Sequence, residues 1–248
     1  MPTSNPALST GAFRRIYATE VGAGTMTMTG TLQKTGILFG LLLSTALFMW
    51  YLIWAEGANS SLPWLLMMGG FVGGLVVAFL TIFRPKFAPY TAPLYALLEG
   101  LAIGGISVFM EAYYPGIVLP AIGLTFGVMA MMLAVYASGL IKVTDKFRFG
   151  ITAAIGGIMI VYVVTILLGF FGVYVPYVFS GGGAFGIAFS LFVVGIASLS
   201  LLLDFDQIER GAASHMPKFA EWYAAFSLMI TLVWLYLEIL RLLGRTRQ

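Results

Sequence analysis

Seven stretches of about 20 apolar residues run through this chain, near 36–55, 62–83, 90–110, 117–141, 149–171, 184–203 and 219–243. Each is long enough to cross the ~30 Å hydrocarbon core of a bilayer as a helix. Lipid offers no hydrogen-bond partners, so a crossing segment must close its own backbone bonds, as a helix does. Of the 248 residues, 60% are hydrophobic and only 9% are charged, whereas a soluble domain carries roughly 25% charged residues to cover its surface. The mean hydropathy is +0.97. The chain therefore reads as an all-α membrane protein, a seven-transmembrane helix bundle over 31–248. Residues 1–30, rich in Ser, Thr, Gly and Met, read as a mobile cytoplasmic segment with no cleavable signal peptide.

Loop signals separate the spans: Asn59 to Ser61, Arg84 to Lys86, Tyr114 to Gly116, Lys142 to Arg148, and Ser180 to Gly183. With the N-terminus inside, the cytoplasmic segments hold Arg14, Arg15, Lys34, Arg84, Lys86, Lys142, Lys146, Arg148, Arg210 and Lys218. The opposite loops hold no Lys or Arg, a strong positive-inside bias. Seven crossings then put the C-terminus outside, although Arg241, Arg245 and Arg247 break the pattern. A last helix that returns to the cytoplasm is the alternative. The net charge of +3 reports orientation rather than a partner, and with no basic stripe interleaved with aromatics, nucleic-acid binding is not expected.

Several chemistries drop out. There is no cysteine, so disulfides, thiolate catalysis and thiolate metal sites are excluded. The single histidine, His215, removes bis-histidine haem ligation and the usual zinc hydrolase sites. A retinal protein needs a lysine in its last span, and 219–243 has none. Motifs for intramembrane serine or aspartyl proteolysis are missing as well, so no enzyme and no resident cofactor is expected.

Small residues at helix-packing spacing, Gly70 with Gly74, Gly100 with Gly104, and Gly123 with Gly127, suit close helix contacts within one chain. Charge inside a span costs at least ~2.5 kcal/mol and is a functional candidate by default. Glu99 lies near mid-membrane in the third span, either as a protonated carboxyl bonded to a neighbouring helix or on an ion or proton path. Asp204 and Asp206 close the sixth span in Leu201-Leu202-Leu203-Asp204-Phe205-Asp206. Two residues apart they face different ways, Asp204 into the bundle and Asp206 toward water. Glu238 and Arg241 are three apart and suit a structural ion pair near the outer interface. Arg84, at the cytoplasmic end of the second span, is placed to reach inward.

Three stretches resemble the Bax inhibitor-1 family, in its bacterial branch: Asp204 to Ile208 closing the sixth span, Ala225 to Gly244 in the last span, and Arg84 ahead of Tyr95 to Gly100. The lead-in from Met26 to Thr35 is similar to that of a bacterial subgroup, so the likeness covers 26–244. It implies a bundle with the last helix central and a pH-sensitive calcium leak in a bacterial inner membrane. An acid ending the sixth span pairs with one in the seventh, and an arginine of the second span contributes to the gate. Two close carboxylates cannot both ionise cheaply, and deprotonated they offer hard oxygen ligands to calcium.

Asp204 matches the first acid, as the possible calcium contact, and Arg84 matches the arginine. For the second acid, a local match selects Glu238 but an ungapped match selects Thr231. From Pro217, Thr231 is ~20 Å along the helix and Glu238 ~30 Å, which favours Thr231. The two-acid switch is then incomplete; either Glu99, Asp206 or Glu221 substitutes, or Asp204 titrates alone. The resemblance also allows a non-conducting regulator acting on membrane protein partners, including proteases. A proton-coupled transporter using Glu99 is a third alternative.

Overall fold

The computed structural model describes residues 24–57, 60–173 and 183–247. Among them are seven long helices: α1 (Met28–Glu56), α2 (Ser61–Phe83), α3 (Ala88–Tyr113), α4 (Val118–Ala137), α5 (Asp145–Phe170), α6 (Ala184–Ala213) and α7 (Ala220–Arg245). A single 3-10 turn, Pro85–Phe87, joins α2 to α3. All seven helices are long and apolar enough to cross a membrane. Asn59, Ser180, Gly181 and Gly182 of the expected loops, and residues 1–23 of the expected N-terminal segment, lie outside the described residues.

The helices overrun the apolar stretches. α1 begins at Met28, where Thr27 caps it by accepting the Gly30 N–H at 3.0 Å, and α6 continues past Asp204 to Ala213. Hydropathy marks only the part of a helix at hydrocarbon depth, whereas backbone hydrogen bonding carries the helix on into polar sequence. Within the spans, Thr35, Thr81, Ser107, Thr125 and Thr165 each donate to the carbonyl four residues back, at 2.7–2.9 Å. This satisfies a hydroxyl where no water is at hand.

α3 lies against both α1 and α2, and glycine makes the approach possible. A Cβ on Gly100 would collide with the Leu42 carbonyl, and one on Gly104 would sit 2.7 Å from the Ala46 Cα. A Cβ on Gly70 would lie 2.5 Å from the Leu98 carbonyl oxygen. The third expected pair behaves otherwise: Gly123 and Gly127 face nothing within 4 Å. They sit on the outward side of α4, so the contact that their spacing predicted is not made.

The last helix is central. α7 packs against α1, α3, α4 and α6, and 56% of its apolar window is buried, against 11% for α5. Phe226, Met229, Leu232, Leu235 and Leu240 form its inward faces. Exposed Trp54, Trp64, Phe79, Phe83 and Phe170 belong to the apolar belt of the outer helices.

The two ends of the bundle differ. At one, Thr25 pairs with Pro217 and the Met26 N–H donates to the Met216 carbonyl at 2.7 Å. The α2–α3 turn and the α4–α5 loop with its basic residues lie at this end, called the basic end below. At the other, the Arg247 guanidinium donates to the Pro115 carbonyl in the α3–α4 turn. The start and finish of the described chain therefore sit at opposite ends, as an odd number of crossings requires.

Candidate functional site

Asp204 is buried on α6 behind fully buried Leu201 and Leu202. Its Oδ1 accepts a hydrogen bond from the Ser227 hydroxyl of α7 at 2.9 Å. Its Oδ2 is buried with no hydrogen-bond partner. Thr231, one turn further along α7, flanks the same carboxyl, with its hydroxyl 3.3 Å from the Ser227 carbonyl. A buried carboxyl oxygen left without a donor is costly. Asp204 does not close its helix, as the sequence suggested. It stands nine residues before Ala213, ~13 Å inside the end of α6.

Asp206 is not turned toward water. It is buried and holds two arginines, with Arg148 Nη2 of α5 at 2.5 Å and Arg210 Nε at 2.9 Å. A carboxylate at this depth is expensive alone, and α5 supplies the partner that the sequence did not place nearby. Arg84, expected to reach inward, is exposed where α2 ends. Its backbone N–H bonds to the Leu80 carbonyl at 2.9 Å, and its side chain has no partner among the described residues. The α2–α3 turn ends the helix at this residue, which leaves the guanidinium outside the bundle.

Glu99 is half-buried at the α2–α3 contact. It interacts with Tyr95 one turn earlier, and a Cβ on Gly74 of α2 would lie 3.1 Å from its Oε2. Tyr95 packs edge-on to Phe226 of α7 with ring centroids 5.0 Å apart, so Glu99 is linked to the central helix through that ring. Glu238 and Arg241 do pair, at 2.9 Å. Tyr162 of α5 joins them, donating to Glu238 at 2.8 Å and accepting from Arg241 at 2.9 Å. Glu238 lies eleven residues beyond Ser227, ~16 Å along α7, so it belongs to a different layer from Asp204.

Two further charged residues are deeply built in. Glu221, fully buried in the first turn of α7, accepts from Lys34 at 2.5 Å and Lys218 at 2.6 Å. It also accepts from the Thr27 N–H and hydroxyl, each at 2.9 Å. A Cβ on Gly30 would overlap its carboxylate. Its place beside Lys218 was the visible signal, whereas the sequence named it only as a substitute acid. Arg245, read as part of a basic tail, is 4% exposed and donates to the Gly186 carbonyl and, at 2.9 Å, to Ser190. A buried arginine bonded to α6 says little about which side the tail faces.

Among the described residues no three His, Asp or Glu side chains come together to hold a metal. Around Asp204 the oxygen donors are one carboxylate and the Ser227 and Thr231 hydroxyls. Calcium takes six to eight oxygens, so this set suits a passing ion rather than a resident one.

Over residues 5–248 the chain matches the model of a family described as Bax inhibitor 1 like. No curated protein matches it.

Proposed function

The chain belongs to the Bax inhibitor 1 like family of membrane proteins, and on that footing we propose that it is a passive calcium leak gated by the protonation of Asp204. The observation that carries this reading is the carboxyl itself, buried between α6 and the central α7 with one oxygen bonded to Ser227 and the other without a partner. A neutral carboxyl tolerates that surrounding. An ionised one leaves a buried charge with a single hydrogen bond, which favours parting of α6 from α7 and entry of water. The same parting exposes a carboxylate with Ser227 and Thr231 beside it, hard oxygens suited to calcium. The positive-inside rule puts the basic end in the cytoplasm under this reading. No catalytic step is assigned.

The sign follows. Flux rises with pH as Asp204 loses its proton, and Asp204→Asn, which stays neutral, holds flux near the acid value at every pH. Purified protein in liposomes, loaded with a calcium indicator and stepped from acid to neutral pH, tests it. A wild-type pH response in Asp204→Asn overturns the reading.

A non-conducting regulator is the second reading, favoured by the lone acid: Thr231 stands where a second carboxylate would complete a two-acid switch. Under it, neither the wild type nor Asp204→Asn passes calcium above protein-free liposomes.

A further inference from the structure

At the basic end, α5 and α6 part around a crevice of about 330 Å³. Arg148 and Thr152 of α5 line it, with Gln207, Arg210 and Ser214 from α6 and its end. Both arginines bind Asp206, but one carboxylate does not use their donors or neutralise their charge. Arg148 spends Nη2 on Asp206; Arg210 spends Nε on it and Nη2 on the Val143 carbonyl at 3.5 Å. Each guanidinium has five N–H donors. Nε and Nη1 of Arg148 and Nη1 of Arg210 have no acceptor among the described residues. The side chains of Thr152, Gln207 and Ser214 are likewise without a partner there. No carboxylate lines the crevice, and Glu209 is engaged elsewhere, by the Tyr136 hydroxyl.

We propose that this crevice is a phosphate-binding site. It offers a surplus of one positive charge, two guanidiniums fixed in place by a shared carboxylate, and three neutral polar groups, Thr152 on the α5 side and Gln207 and Ser214 on the α6 side. Planar guanidinium donors match the oxygens of a phosphate group, and Asp206 orients both while cancelling only one of their two charges. The site opens at the level of the helix ends, where both a lipid headgroup and a soluble phosphate can reach it. It is independent of the calcium reading, because Asp204 takes no part in it.

The test uses the full-length purified protein in detergent, with bound lipid counted by native mass spectrometry. The probes are phosphatidylglycerol, diacylglycerol as the same chains without phosphate, and inorganic phosphate as competitor. Wild type is expected to retain phosphatidylglycerol and not diacylglycerol. Arg210→Gln removes donors, and Thr152→Phe fills the crevice while leaving both arginines on Asp206. Each should weaken retention by roughly tenfold, the loss of a charge-assisted contact. Displacement by inorganic phosphate identifies the soluble anion as the ligand; resistance to it identifies the headgroup. Equal retention of diacylglycerol, or wild-type retention in Thr152→Phe, overturns the proposal.

Discussion

Asp204 and Glu221 are both buried acids, yet they are held in opposite ways. Glu221 accepts from two lysines and from Thr27, so it is a fastened joint between the start of α1 and the start of α7. Removing its charge leaves the buried end of Lys34 uncompensated. Glu221→Gln is therefore expected to cost about 3 kcal/mol, read as a lower melting temperature of the purified protein. Asp204 has one hydrogen bond and one orphan oxygen, so Asp204→Asn should cost little stability and act on the pH response. A large loss of stability in Asp204→Asn with none in Glu221→Gln would reverse these roles. Asp204 was legible in the sequence because a charge after three leucines is conspicuous. Ser227 was not, because a hydroxyl in a span looks the same whether it bonds back to its own helix or across to another.

At the scale of elements, glycine spacing marked candidate contacts but could not say which ones another helix fills. Gly100 and Gly104 admit the backbone of α1, while Gly123 and Gly127 face open space. Gly104→Leu should prevent folding, seen as loss of a single peak in size-exclusion chromatography. Gly127→Leu should stay within about 0.5 kcal/mol of wild type; failure of both alike would show that α4 has a packing partner at that face. α5 illustrates a second limit of sequence. It is the least buried helix, and polar contacts to Asp206 and Glu238 fasten it to the rest. Tyr162→Phe removes the donor to Glu238 and should lower stability by about 1 kcal/mol, measured by thermal melting; no change would mean that apolar contact with α6 alone holds α5.

Among the described residues seven helices are long and apolar enough to cross a membrane, and the sequence has no cysteine, which makes the orientation directly measurable. Lys142→Cys in the α4–α5 loop and Thr246→Cys after α7 each introduce one thiol. In intact cells a membrane-impermeant maleimide should label Thr246→Cys and spare Lys142→Cys until the cells are opened. Labelling of Lys142→Cys in intact cells would invert the assignment, and equal behaviour of the two would contradict seven crossings. Of the basic tail, which on charge alone argued against an outer C-terminus, Arg245 is buried against α6 and Arg247 is bonded to the α3–α4 turn, and the labelling decides the side.

Sequence alone determined the number of crossings, their helical nature and which acids stand inside them, because the bilayer tests each segment separately for length, polarity and closed hydrogen bonding. Tertiary structure decided what each acid touches. It gave Asp206 the arginine of α5, gave Glu238 the tyrosine of α5, and left Arg84 outside. It also set Ser227 and Thr231 opposite Asp204. Two of those pairings join consecutive helices, α5 with α6 and α6 with α7, and one joins α5 to α7, so the azimuth at which each helix packs around the central α7 selects the partner. A one-dimensional pattern fixes the depth of a residue in the membrane but not the azimuth at which its neighbour stands.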